Sequence, residues 1–148
     1  MKLSKKSRYG LRALIDLAVY SENGHVALNS IAERNQISPQ YLEQVFASLR
    51  KAGIVRSVKG AQGGYLLNDS PENITIASIL EVLEGSYLLA PEEISEQDTH
   101  REIIAAVQRL VIDVVNQQVE EVLTNLTLAD LEQDYRKNSN QELDMYYI

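Results

Sequence analysis

Four polar side chains, Gln40, Tyr41, Glu43 and Gln44, follow directly on Ser38-Pro39. On a helix that begins at Pro39 they occupy its first exposed turns, the part that meets base edges when a helix enters the major groove. The residue types suit that task. A glutamine amide bonds an adenine edge through two hydrogen bonds, a carboxylate accepts from cytosine N4, and a tyrosine reaches a phosphate or the thymine methyl. Arg50 and Lys51 lie at the far end of the same helix, placed for phosphates rather than bases. Lys59 opens Gly60-Ala61-Gln62-Gly63-Gly64, a turn whose glycines let backbone approach a sugar-phosphate edge or the minor groove. With Ser38 as the cap, Gln62 in the turn, and Lys5 and Arg8 near the N-terminus, these residues form the candidate DNA-contact set.

Other chemistry finds little support. His25 and His100 are 75 positions apart, and neither Gly-x-Ser-x-Gly nor His-Glu-x-x-His occurs. Asp113, Glu120 and Glu121 lack the Glu-x-x-His pairs that a carboxylate metal site in a helical bundle would need. The glycine-rich turn has neither a phosphate-binding Gly-Lys-Ser/Thr nor the Gly-x-Gly-x-x-Gly spacing. The chain has no cysteine, which excludes disulfides, thiolate metal sites and cysteine nucleophiles. Neither enzymatic activity nor a cofactor or metal is expected. The alternative to DNA binding is a domain that serves only as a protein-interaction module.

Charge points to the same half of the chain. The 148 residues sum to −7, but residues 1–68 hold ten bases against four acids, +6, and residues 69–148 four bases against seventeen acids, −13. Such asymmetry is a nucleic-acid signature that the acidic total conceals. No apolar run approaches the roughly 18–20 residues of a membrane helix. The basic N-terminus lacks an apolar stretch and small-residue cleavage site, so no signal peptide is read there and a cytoplasmic location is expected.

The elements that must position these groups are mainly α. Leu11, Leu14, Ile15 and Ala18 place a helix over 7–21, and Leu28, Ile31 and Ala32 a short one over 28–36. The turn to the next helix carries Gln36 where a glycine is usual. Ser38 caps the third helix, Pro39 takes its first position, and Gly53 ends it. Residues 54–59 and 65–67 read as a two-stranded hairpin about the glycine-rich turn. Thr75 opens a helix that Gly85 closes. Residues 86–98 are an acidic connector. Thr99-x-x-Glu102 reads as a capping box for the longest helix, 99–124, about 39 Å long. Its stripe of Ile104, Val107, Val111, Val115, Val119, Val122 and Leu126, widened by Ile103, Leu110, Val114 and Leu123, exceeds what one neighbour would cover. Ile104, Val107, Val111 and Val115 are the expected dimer contacts. A short helix capped at Thr127 and a polar stretch from Arg136 to Gln141 precede the apolar ending Met145-Tyr146-Tyr147-Ile148.

Helix–turn–helix–hairpin order is that of a winged helix-turn-helix. The segments Ser7-Arg8-Tyr9-Gly10-Leu11, Tyr41-Leu42-Glu43-Gln44-Val45-Phe46, Leu49-Arg50-Lys51-Ala52-Gly53-Ile54-Val55 and Val58-Lys59-Gly60-x-x-Gly63-Gly64-Tyr65 resemble the IscR/NsrR/CymR family of bacterial winged-helix regulators, the Rrf-two family. The likeness continues through Thr75-Ile76, Val82-Leu83-Glu84-Gly85 and Leu126 to Leu131. It implies a homodimeric repressor on a palindromic operator, with DNA binding in residues 1–85, the connector at 86–98, and dimerisation in 99–148.

One departure is informative. Members that sense iron–sulfur clusters hold them with three connector cysteines, and this chain has none. The resemblance then runs to cysteine-free members similar to the CymR-like repressors of cysteine metabolism. It implies a protein partner, O-acetylserine sulfhydrylase, with Tyr146, Tyr147 and Ile148 as the docking residues.

Overall fold

Ser4 begins the first helix: its hydroxyl accepts from the Ser7 amide at 3.2 Å and caps α1 (Lys5–Tyr20). The computed structural model describes residues 1–146, with side chains for residues 1–140. The same capping device recurs at Ser38 for α3 (Pro39–Lys51), where the hydroxyl accepts from Tyr41 N–H at 3.1 Å, and at Thr75 for α4 (Ile76–Glu84). Each such cap stabilises by about 1 kcal/mol.

Between α2 (Leu28–Asn35) and α3 the chain turns at Gln36, which takes a left-handed conformation (φ 56). It is the non-glycine residue with positive φ among those described, and that conformation costs roughly 1–2 kcal/mol. The turn is held by Ile37 N–H donating to Ala32 O at 2.9 Å, and Ile37 is buried behind it. After α3, Gly53 (φ 80) ends the helix with Gly53 N–H on Arg50 O and Ile54 N–H on Leu49 O, a Schellman pattern.

The hairpin follows as β1 (Val55–Val58) paired antiparallel with β2 (Gly64–Leu67), in the register Val55 with Leu67 and Val58 with Gly64. A third extended piece joins it: Val26 N–H donates to Tyr65 O and Tyr65 N–H to Val26 O, at 3.0 and 2.8 Å. This bridge explains Gly64, and the hairpin turn itself explains Gly63. A Cβ on Gly64 would stand 2.3 Å from Val26 O, and one on Gly63 would stand 2.3 Å from Val58 O. The glycines are demanded by the protein's own backbone, whatever they do for DNA.

The core gathers on one face of α3. Leu42, Val45, Phe46 and Leu49 are fully buried there, with Leu14 and Leu17 of α1, Ile31 of α2, Val55 of β1 and Ile79 of α4 closing round them. Polar clasps fix the entering helices. Asp16 accepts from Arg34 Nε and Nη2 at 2.9 and 2.7 Å and from Asn35 Nδ2 at 3.0 Å, locking α1 to α2. Glu84, at the end of α4, accepts from the Ser4 amide. The Ser4 and Ser7 hydroxyls also hold its carboxyl below the usual glutamate range.

Beyond α4 the sequence expectations need correction. The capping box at Thr99 does not form. Just before it Ser95 N–H donates to Asp98 Oδ2 in a local turn, and α5 (Arg101–Val107) starts one residue later than expected, with His100 as an N-cap whose side chain makes no capping bond. The long helix is not regular either. Gln108–Ile112 forms a wide π turn in which Asp113 N–H reaches Gln108 O, before α6 (Asp113–Asn125) resumes. Nor is the last helix short. α7 spans Leu128–Tyr146 and absorbs the stretch expected to be a polar tail. Thr127 and Asp130 cap it reciprocally, and Arg136 fastens it to the end of α1 by donating to Glu22 at 3.0 Å and to Val19 O at 3.4 Å. Tyr147 and Ile148 lie outside the described residues, as does the side chain of Tyr146.

The Gly64 geometry carries an expected outcome. Gly64→Ala forces the Val26–Tyr65 bridge apart and should cost about 1–3 kcal/mol, as overpacked sites do, read as a fall in the chemical-denaturation midpoint. An unchanged midpoint would show that the wing does not lean on Val26.

Candidate nucleic-acid interface

The buried stripe of α3 leaves its N-terminal turn facing outward. Gln40, Glu43 and Gln44 are exposed, as are Arg50 and Lys51 in the last turn. Ser38 spends its hydroxyl oxygen on the Tyr41 amide, which leaves the hydroxyl proton for a phosphate. Tyr41 itself is half-buried. Its ring stands edge-on to Tyr9 of α1, with centroids 5.8 Å apart and planes at 88°.

Tyr9 gathers the basic end of α1. Lys5 Nζ lies 5.3 Å from its ring centre and the Arg12 guanidinium 5.1 Å. Arg8 is exposed and donates from Nε to Leu3 O at 3.0 Å. The positions 5, 8, 9 and 12 share one helix face, so Tyr9 and Arg12 were legible by spacing, though the sequence reading named only Lys5 and Arg8. α1 and α3 together bring Lys5, Arg12, Tyr9 and Tyr41 into one cluster beside the exposed glutamines.

The wing presents a second exposed surface. Lys59 and Gln62 are exposed at its tip. His25, in the loop after α1, donates from Nε2 to the Gln62 carbonyl and ties the tip to the body; a carbonyl only accepts, so this nitrogen carries the proton. Between the wing and the start of α2 runs a cleft of about 450 Å³ lined by Asn29, Ser57, Lys59 and Tyr65. Asn29 and Ser57 carried no sequence signal, because only the Val26–Tyr65 bridge sets α2 beside the wing.

The other predicted surface is uncovered. Ile103, Val107, Leu110, Val111, Val114, Val115 and Val122 are between 37% and 74% exposed, a contiguous apolar stripe along α5 and α6. Ile104 is half-buried. The inward face is a separate row. Ile112 is buried and Val119, Leu123 and Leu126 pack on the core, with Asn116 among them. The sequence reading merged the two rows. Each four-residue step overshoots one helical turn by about 40°, so Val111, Val115 and Val119 walk from the outer face to the inner one.

Asn116 also clasps the connector, donating to Leu89 O at 3.0 Å and accepting from Leu89 N–H at 2.8 Å, while Gln108 accepts from Glu92 N–H at 2.6 Å. Tyr87 is buried at the connector's root.

Comparison with known proteins fits this arrangement. Residues 3–134 match the Rrf2 family model, described as an iron-dependent transcriptional regulator. The HTH-type transcriptional regulator CymR of Bacillus subtilis is 41% identical over 148 residues, the whole of both chains. The solved structure of that global cysteine regulator superposes with a TM-score of 0.76 at 39% identity, over 90% of this chain and 97% of the other. The T. potens IscR structure gives 0.71 at 44% identity, over 91% and 88%. A thiolate-held iron centre does not fit here. The chain has no cysteine, and among the described residues no three His, Asp or Glu side chains converge on a metal position.

For the DNA face, six or more neutralised phosphates give a log–log salt slope of roughly −5 or steeper, at about −0.9 each. Lys59→Ala should weaken binding to all sequences alike and flatten the slope by about 1 per lost contact, whereas Gln44→Ala should change base preference at one position. Fluorescence anisotropy across a salt series checks both, and salt-independent affinity would contradict the assignment.

Proposed function

The chain belongs to the Rrf2 family of transcriptional regulators, and we propose that it acts as a homodimeric repressor of cysteine and sulfur metabolism on a palindromic operator. It is a DNA-binding regulator and not an enzyme. The observation that carries the dimer is the bare stripe from Ile103 to Val122. Soluble monomers rarely expose contiguous apolar patches beyond about 300–600 Å², and a second copy of the same stripe covers it about a two-fold axis. Two recognition helices then address half-sites about 34 Å apart.

Support for the pathway is the full-length identity to the cysteine regulator of B. subtilis. Among the described residues no helix is long and apolar enough to cross a membrane, and the reading places the protein in the cytoplasm with its operator. With no thiol to oxidise and no ligands for a cluster, the signal enters through a bound molecule or a partner. The partner in this reading is O-acetylserine sulfhydrylase, docking on Tyr146, Tyr147 and Ile148.

Val111→Asp and Val115→Asp should each yield monomers that have lost operator affinity, read by sedimentation and by gel shift. A native chain that is monomeric at micromolar concentration would sink the interface. Removal of Tyr147 and Ile148 should abolish co-purification with the sulfhydrylase while leaving the melting temperature unchanged. A drop of several degrees with the partner retained would assign those residues to packing instead.

A further inference from the structure

The Asp16–Arg34 clasp forms part of the wall of a cleft between α1, α2 and α7. The cleft measures about 470 Å³ and is lined also by Arg12, Ile15, Tyr20 and Tyr135. That volume lies within the range of small-molecule sites, about 300–1,000 Å³.

Its charge is unbalanced. Asp16 is 9% exposed, and its two oxygens take three hydrogen bonds from Arg34 and Asn35, so its negative charge is already answered. Arg34 lies over the Tyr20 ring at 3.9 Å with Nη1 outside those bonds. Arg12 makes no ion pair among the described residues, and its guanidinium lies over the Tyr9 ring. The unanswered charge in the cleft is therefore positive, and the rest of its lining is largely aromatic or aliphatic. A cation finds the one carboxylate already held by three donors, and otherwise only neutral acceptors such as the Asn35 amide oxygen and the tyrosine hydroxyls. An anion finds Arg12 and the outer edge of Arg34, and a guanidinium edge holds a carboxylate by two parallel hydrogen bonds.

We propose that this cleft binds a small carboxylate with an aromatic or branched apolar body, its carboxylate held by Arg12 and its body lying against Ile15, Tyr20 and Tyr135. The site reaches the DNA face through one residue. The Arg12 guanidinium that meets the carboxylate is the one that sits over Tyr9, and Tyr9 braces Tyr41 on the recognition helix. Drawing Arg12 into the cleft removes that support, so the ligand opposes the operator. Tyr135 brings in α7, which Arg136 pins to α1, so the bound body bridges the helix-turn-helix and the C-terminal helix.

The coupling to DNA rests on the DNA-binding reading above; the binding itself does not, and two readouts keep them apart. Phenylacetate is the probe, with benzyl alcohol as its uncharged counterpart, added to the intact chain without DNA and followed by amide nitrogen–proton spectra. Phenylacetate should shift the amides of Arg12, Tyr20, Arg34 and Tyr135 saturably. Arg12→Gln should weaken it about tenfold or more, the loss expected of a charged hydrogen bond. Tyr135→Ala, an exposed position on another helix, should weaken it independently. With operator DNA, saturating phenylacetate should reduce affinity about fivefold, at the low end of allosteric couplings. Equal binding of benzyl alcohol, full binding by Arg12→Gln, or no saturable shift at tens of millimolar would overturn the site. Binding that leaves operator affinity unchanged would overturn the coupling.

Discussion

One buried stripe, Leu42, Val45, Phe46 and Leu49 on α3, is the constraint on which the rest depends. Each side chain contributes roughly 1.5–3 kcal/mol by leaving water. Because the stripe buries one side of the helix completely, Gln40, Glu43 and Gln44 are left on the side open to solvent. Ser38-Pro39 and Gly53 set where the helix starts and stops, and so which polar residues fall in its first turns. α1, α2, α4 and β1 are placed by covering the stripe. Phe46 also meets Tyr65 of the wing, ring centres 4.8 Å apart, which adds an aromatic contact between α3 and the hairpin to the packing of Val55.

Around this core the polar groups work as fasteners between helices. Among the described residues no buried side-chain nitrogen or oxygen is left without a partner. A buried carboxylate such as Asp16 is tolerated because three donors meet it, and its contribution is as much to register as to stability. Glu84 holds the head of α1 from the tail of α4, and its depressed pKa has a direct thermodynamic meaning. The folded state favours the carboxylate, so its contribution is present above the unfolded-state value and is lost as pH falls through the folded one.

The α5–α6 helix carries two apolar rows, one packed on the core and one bare, and it is irregular where they meet. Its inner row follows a four-three alternation from Ile112 through Asn116, Val119 and Leu123 to Leu126 and serves its own domain. Its outer row is exposed. The π turn at Gln108–Ile112 adds a residue to one turn and so resets the phase of the rows before and after it. The turn also brings Gln108 Nε2 within 2.7 Å of Asp113, a pairing that a regular helix at that spacing would point apart. Two side-chain amides, Asn116 and Gln108, hold the acidic connector against this helix.

Much of the domain was legible because its signals are local. Helix caps, the proline at the head of α3, the terminal glycines and the three-four spacing of apolar residues each act within a few positions. They predicted α1 to α4 and the hairpin to within a few residues, and the exposure of Gln40, Glu43 and Gln44 on α3 and of Lys59 and Gln62 on the wing. What escaped was whatever depends on residues distant in the chain. Thr99 and Glu102 have capping-box chemistry, yet the helix starts at Arg101 with His100 in the cap position. Arg136 reads as tail until Glu22 and Val19 O, over a hundred positions away, give it something to hold. The clasp of Asp16 by Arg34, the closeness of Val26 to Gly64, and the division of one apolar stripe into an inner and an outer row were decided by tertiary packing. Sequence periodicity records that a side chain must be buried, whereas only the folded chain determines against what.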